Sequence, residues 1–189
     1  MNLIKKFVRF FARRLFVLDK VILFKMDQAN EVNSPVILKK ADINNINDIL
    51  NFQNKKYLIL FKKFLKEGGV GYLGYLDDRC IHRSWVVVEE GSLINLHPLV
   101  KRKLDRNAVY IHYCETAPAA RGKGVYPYVI STIAKDFQNK TVLICVNNKN
   151  IPSIKGVKKA GFKPVESVTV IALLGIVIRM QKDLKGVEV

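Results

Sequence analysis

The sequence predicts an α/β (α+β) fold, a mixed sheet flanked by helices, on three observations. Residues 70–76 and 80–89 alternate with a period of two and meet at Asp77-Asp78, a hairpin signal. Residues 55–66 and 125–137 space their apolar side chains for one face of a helix. The order along the chain is helices, a hairpin, then strand–helix–strand–helix–strand–strand, the mark of a mixed sheet with helical cover.

Taken in order, residues 20–27 (KVILFKMD) read as a short strand, and the polar stretch 28–35 separates it from the main domain. Residues 35–40 form a second strand. Residues 42–52 carry Ile43, Ile46, Ile49 and Leu50 at helical spacing, and residues 55–66 continue as a helix that Gly68-Gly69 stops. After the hairpin, residues 92–106 show no clear period; with the basic run Lys101, Arg102, Lys103 they read as a loop over a site. Residues 108–116 are a strand, 125–137 a helix and 141–146 a short buried strand. Residues 152–160 are a helix with Pro152 in its first turn, where a missing N–H costs little. Residues 162–170 and 171–180 close the chain as strands.

On a helix, residues 1–18 place Ile4, Phe7, Val8, Phe11, Leu15 and Leu18 on one face, with Lys5, Lys6, Arg9, Arg13 and Arg14 away from it. Two readings fit: an interfacial helix on an anionic membrane, and a terminal helix docked on its own domain. The lack of any acid before Asp19 leans toward the anionic partner. No stretch approaches the roughly 20 apolar residues of a membrane span, and charges break the apolar run that a secretory signal needs. The expected division is a basic extension over 1–30 and one domain over 31–189.

With 189 residues, 49% of them hydrophobic and 25% charged, the chain can bury a real core, which excludes a disordered protein. The formal charge of +16 attracts anions: nucleic acid, a membrane surface or a phosphorylated small molecule. Cys80, Cys114 and Cys145 are far apart, in apolar stretches and odd in number. They read as reduced core thiols of a cytoplasmic protein, and neither they nor His82, His97 and His112 have metal-ligand spacing. No metal is expected.

The chemistry concentrates in residues 108–133, AVYIHYCETAPAARGKGVYPYVISTI. A strand runs into a turn of Arg121, Gly122, Lys123 and Gly124, and the turn opens a helix. Free N–H groups at the helix start, with the positive end of its dipole behind them, form a site for phosphate. This is neither a Walker loop nor GxGxxG. A second segment, NIPSIKGVKKAGF, spans residues 150–162.

Together the two segments resemble the GNAT acetyltransferase family. Its phosphate loop, Q/R-x-x-G-x-G/A, is matched by Arg121, Gly122, Lys123, Gly124, Val125 and Tyr126; its later helix, N-x-x-S/A-x-x-L-Y-x-x-x-G-F, is matched by Asn150, Ser153, Gly161 and Phe162. Pro118 stands at the family's habitual proline. The resemblance covers roughly residues 35–180 and implies a mostly antiparallel central sheet and an acetyl-CoA or other acyl-CoA cofactor. It implies that N–H groups of Arg121–Val125 hold the pyrophosphate, that Cys114–Thr116 pair with the pantetheine, and that Asn150 and Ser153 bond to the cofactor, with Lys155, Lys158 and Lys159 near its phosphates. Two residues depart from the pattern: Tyr126 replaces a Gly/Ala, and Val157 replaces the Tyr that protonates the thiolate in many members.

For catalysis the resemblance implies a base, oxyanion help and an acid. His112 lies nine residues before Arg121, the offset of a catalytic His in arylalkylamine-acetylating members, and competes with a plain packing role. His112 and Glu115 point to opposite faces of the strand. Glu115 suits an ion pair with Arg121, and Tyr113 is a candidate acid. Trp85, His97 and Lys101–Lys103 lie where this fold builds its acceptor site. The leading function is an acyl-CoA-dependent N-acyltransferase acting on a small amine, with a nucleotide-linked amino sugar of cell-surface glycan synthesis as one acceptor. The alternatives are a non-catalytic CoA-binding regulator and a tRNA-associated acyl or aminoacyl transferase. The last ranks third, because outside the N-terminus the basic residues are not interleaved with exposed aromatics.

Overall fold

The computed structural model describes residues 16–173 and 176–186. Its strands are β1 (Phe16–Met26), β2 (Ile37–Lys40), β3 (Val70–Leu76), β4 (Arg79–Val87), β5 (Leu93–His97), β6 (Val100–Lys103), β7 (Ala108–Thr116), β8 (Thr141–Asn147), β9 (Phe162–Leu173) and β10 (Ile176–Asp183). Eight of them form one sheet in the order β10-β9-β1-β8-β7-β4-β3-β2, and β5 pairs with β6 in a ribbon of its own. Every neighbouring pair in the large sheet is antiparallel except β7–β8, which is parallel over Ala108–Ile111. The mixed, mostly antiparallel sheet flanked by helices is the expected one.

Three helices flank the sheet: α1 (Lys55–Lys66), α2 (Val125–Asp136) and α3 (Ile151–Lys159). Helices α2 and α3 cover one face, where Val129, Ile130, Ile133, Ile154 and Val157 pack on Ile22, Phe24, Val109 and Ile111. Helix α1 lies on the other face, where Phe61 joins Leu73 and Trp85. Beside it the β5–β6 hairpin covers Val21, Leu23, Tyr110 and Val170. The segment 92–106 is therefore a two-stranded ribbon rather than an irregular loop. Its inward residues Ile94, Leu96 and Val100 are buried, while its basic residues face outward or pair with the sheet.

Residues 42–52 also differ from the expected α-helix. Only Ile46–Asn51 are helical, as a 3-10 turn that buries Ile46 and Ile49. The Asp42 carboxylate accepts the N–H groups of Asn44 and Asn45, and this local bond holds a turn where a longer helix would start.

The largest correction is at the N-terminus. The amphipathic helix expected over 1–18 lies outside the described residues up to position 15, and its last three residues are strand. Residues 16–26, assigned by sequence to an extension, form β1, which sits between β8 and β9 and pairs with both. Val21–Phe24 are buried on both faces of the sheet. After β1, Asn30 donates its backbone N–H to Ala160 O at 3.1 Å and its Nδ2 to Lys159 O at 3.0 Å. Ser131 Oγ donates to Asn30 O at 2.5 Å. Over 16–30 the chain is thus tied into the sheet and helix layer. Phe16 and Leu18 satisfy a period of two as readily as one of 3.6, so the sequence could not separate strand from helix there.

Candidate active site

The site begins with a bulge in β7. Trp85 of β4 faces His112 and Arg83 faces Glu115, so Tyr113 and Cys114 share the single place opposite Ser84. Tyr113 takes a φ of 49°, in the left-handed region. Arg83 holds it there: the buried guanidinium donates to the Tyr113 carbonyl and to Gln53 Oε1, and lies over the rings of Tyr57 and Phe61 at 4.8 and 4.6 Å. A bulge bends its strand. Pairing of β7 with β8 ends at Ile111, and beyond it the β8-facing edge of Cys114–Thr116 has no strand partner among the described residues. A gap opens between two strands that were parallel neighbours.

On the helix side of this gap lies a cleft of about 590 Å³. Its walls are the free edge Cys114–Thr116, the loop and first turn of α2, and the start of α3. Gly124 is the N-cap of α2 with φ 73°, a conformation cheap only for glycine, and no side chain caps the helix. The backbone N–H groups of Gly122–Tyr126 donate to no backbone oxygen among the described residues. They leave an electropositive cradle for an anion. Lys155 and Lys159 line the cleft, whereas Lys158 and Lys123 do not.

Two expected cofactor ligands, Arg121 and Asn150, already have side-chain partners. Arg121 donates Nε to Thr116 O at 3.1 Å and Nη2 to Glu115 Oε1 at 2.7 Å. Asn150 caps α3 by accepting the Ser153 N–H at 3.2 Å on Oδ1, which leaves its Nδ2 to donate outward. The cleft thus gathers Cys114, Glu115, Thr116, Arg121, Gly122, Gly124, Val125, Asn150 and Ser153.

His112 and Tyr113 face the opposite side, into a second cavity of about 520 Å³ between α1, the sheet and the β5–β6 hairpin. Its walls include Phe64, Trp85, Tyr110 and Asn95. The His112 ring stacks on Tyr110 at 5.9 Å and packs against Phe64 at 5.6 Å. Burial, and then the Arg83 charge, lower its pKa to about 4, so the imidazole is neutral at physiological pH. His97 is elsewhere: buried, it pairs with Asp19 of β1 at 3.4 Å.

Sequence reasoning missed two groups. His82 is fully buried under the cleft, with Nδ1 2.7 Å from Thr116 Oγ1 and Nε2 2.8 Å from Ser84 Oγ. Burial first, and then Arg83, hold its pKa down to about 3. Arg83 is the other, and both look like ordinary strand residues in an alternating run. Among the described residues no cluster of His, Cys, Asp and Glu could hold a metal, and no helix is long and apolar enough to cross a membrane.

No protein-family model matches the chain, and neither does any curated protein sequence. Solved structures do match. A GNAT-family acetyltransferase from Colwellia psychrerythraea superposes with a TM-score of 0.60 at 11% identity, covering 82% of this chain and 56% of that one. The GCN5-related glucosamine N-acetyltransferase region of a fungal multi-domain GH3 β-N-acetylglucosaminidase gives 0.60 at 11% identity, covering 90% of this chain and 23% of that one. AAC(6')-Iy, in complex with the bisubstrate analogue CoA-S-monomethyl-acetylneamine, gives 0.52 at 11% identity, covering 69% and 92%. The chain spans little more than half of the Colwellia protein and a quarter of the fungal one. The fold is the GNAT fold.

Proposed function

We propose that this chain is an acyl-CoA-dependent N-acyltransferase, with acetyl as the group transferred and a small amine as acceptor. One observation carries the reading. The bulge at Tyr113 parts β7 from β8 and leaves a free strand edge between an anion cradle on one side and an aromatic cavity holding a neutral imidazole on the other. An acyl-CoA supplies the anionic pyrophosphate, an amide-bearing arm that pairs like a strand, and a thioester.

The chain's own residues divide the work. The N–H groups of the Arg121–Val125 loop hold phosphate oxygens, with Lys155 and Lys159 adding charge. The free edge at Cys114–Thr116 orients the pantetheine amides, and a strand N–H there polarises the thioester carbonyl. From the second cavity His112 accepts the proton that the amine loses. Glu115, committed to Arg121, sits on the wrong side of the strand for this role.

An amino sugar is the acceptor that suits this cavity. Sugar rings pack on aromatic faces, and Phe64, Trp85, Tyr110 and Tyr113 provide them. The glucosamine N-acetyltransferase region that shares the fold is a parallel. For a nucleotide-linked sugar the exposed cations Lys101 and Lys103 are available, whereas Arg102 is bound to Glu166.

Calorimetry with CoA tests the cleft. Wild type binds, and Gly124→Val loses at least about tenfold in affinity while remaining folded, because a β-branched residue resists φ 73° and crowds the cradle. A thioester-consumption screen over amino sugars, aminoglycosides, amino acids and polyamines then identifies the acceptor. Absence of CoA binding by wild type overturns the reading.

A further inference from the structure

We propose that Tyr126, the second residue of α2, is the acid that protonates the departing thiolate; this rests on the acyl-CoA reading of the cleft. Transfer needs such a group. The amine's lone pair adds to the thioester carbonyl carbon, the C–S bond breaks, and its electron pair goes to sulfur. The Tyr126 phenolic proton moves to that sulfur. His112 takes the proton lost by nitrogen, and solvent returns a proton to the phenolate, so the amide's lost N–H balances the thiol's gained S–H.

The cleft offers few donors. Thr116 Oγ1 is engaged by His82, Arg121 by Glu115 and Thr116, and Lys155 and Lys159 are exposed cations at the outer wall. Ser153 stands in the first turn of α3 beside its capping Asn150. Tyr126 lies deeper. Its ring rests on α3, where a Cβ built on Gly156 would meet its Cδ1 at 2.6 Å. The ring centroid is 6.4 Å from that of His82. Tyr126 and the free edge Cys114–Thr116 line the same cleft. Tyr126 is only partly buried and lines the cleft, and its hydroxyl has no hydrogen-bond partner among the described residues.

The two departures from the motif are thereby one feature. Gly156 and Val157 stand where the pattern has Leu-Tyr, and Tyr126 stands where it has Gly/Ala. Val157 is fully buried in the core and does not reach the cleft, whereas the aromatic ring moved to α2 fills the space over Gly156. Burial holds the phenol protonated.

The test uses the whole protein, acetyl-CoA, and hydroxylamine as an amine small enough for any acceptor cavity. CoA affinity is measured first by calorimetry, then turnover. Tyr126→Phe keeps the ring on Gly156, so melting temperature, CoA affinity and KM for acetyl-CoA stay at wild-type values, and kcat falls on the order of 10²-fold. Full kcat in Tyr126→Phe overturns the proposal and leaves the cofactor reading standing. Wild type that binds no CoA, or binds it without turnover, overturns Tyr126 as an acid; only the first also removes the cofactor.

Discussion

Arg121 Nη2 meets Glu115 Oε1 at 2.7 Å, joining the 121–124 loop to the strand that leads into it. The pair is partly exposed, at 60% and 37% for the two side chains, so its contribution to stability is at most about 1 kcal/mol. Its consequence for chemistry is greater, because it occupies the only carboxylate on this stretch of β7. Glu115→Gln is expected to change melting little and turnover by less than about fivefold. A loss near 10²-fold in kcat, measured with CoA affinity intact, would make Glu115 the base instead.

A second pair ties the β5–β6 hairpin, which walls the second cavity, to β9. Arg102 of β6 donates to both carboxylate oxygens of Glu166 on β9, at 2.9 and 2.5 Å. Tyr110 Oη donates to Asn95 O at 2.9 Å beneath it. Arg102→Ala is expected to cost about 1 kcal/mol in urea unfolding, the value of a charged bond discounted for its partial exposure. Arg102→Lys recovers only part, since an ammonium cannot make the paired geometry. Equal stability of all three proteins would show that the hairpin is held by its apolar contacts alone.

Much of this architecture is legible from local pattern. The bounds of α1, β3 and β7 come directly from periodicity, and the RGKG turn marks a helix start with unpartnered N–H groups. What escaped depends on distant partners. The strand over 20–26 is legible, but its start at Phe16 and its place between β8 and β9 are not, because its pairing partners, Asn147 and Leu173 among them, lie more than a hundred residues on. Arg83 and His82 escaped because their roles come from a bulge on another strand, which no spacing within β4 encodes. Glu115 was legible because its partner lies six residues away.

The position of β1 changes how the N-terminus must be tested. A chain starting at Asn30 lacks the strand between β8 and β9 and is expected not to fold, seen as loss of the cooperative transition and of near-ultraviolet dichroism. Membrane contact through residues 1–18 is better tested by replacing Lys5, Lys6, Arg9, Arg13 and Arg14 with Gln. If this segment binds an anionic surface, co-sedimentation with anionic vesicles drops in the variant and with salt in the wild type. Unchanged sedimentation counts against it.

Gly156 and Tyr126 should be energetically coupled. Gly156→Ala places a methyl 2.6 Å from the Tyr126 ring, an overpacking expected to cost about 1–3 kcal/mol. That exceeds the roughly 1 kcal/mol which alanine gains over glycine inside a helix. In a Tyr126→Ala background the clash is gone and only the propensity remains, so Gly156→Ala turns stabilising. A double-mutant cycle by thermal unfolding measures this. Additive changes would mean that the ring and the glycine do not touch.

His112 is the residue on which catalysis is expected to turn. Burial first, and then the Arg83 charge, take its pKa from 6.5 to about 4. A base with this value is ready at neutral pH and loses function only when acid protonates it, so the acidic limb of kcat/KM belongs near pH 4, well below that of a solvent-exposed histidine. The sign for stability is the same. The unfolded chain binds a proton at His112 below about 6.5 and the folded one only below about 4, so folding weakens as pH falls through that window. His82, held down to about 3, extends the loss further. His112→Ala should lower kcat on the order of 10²-fold with CoA affinity unchanged, and should abolish the limb near pH 4. Replacing Arg83 by Met removes the nearby charge and frees the Tyr113 carbonyl at once, so it shifts the limb upward only if the bulge survives. His112→Ala with full activity and an unchanged limb would assign proton removal to water in the cavity, and His112 would be an aromatic wall between Tyr110 and Phe64.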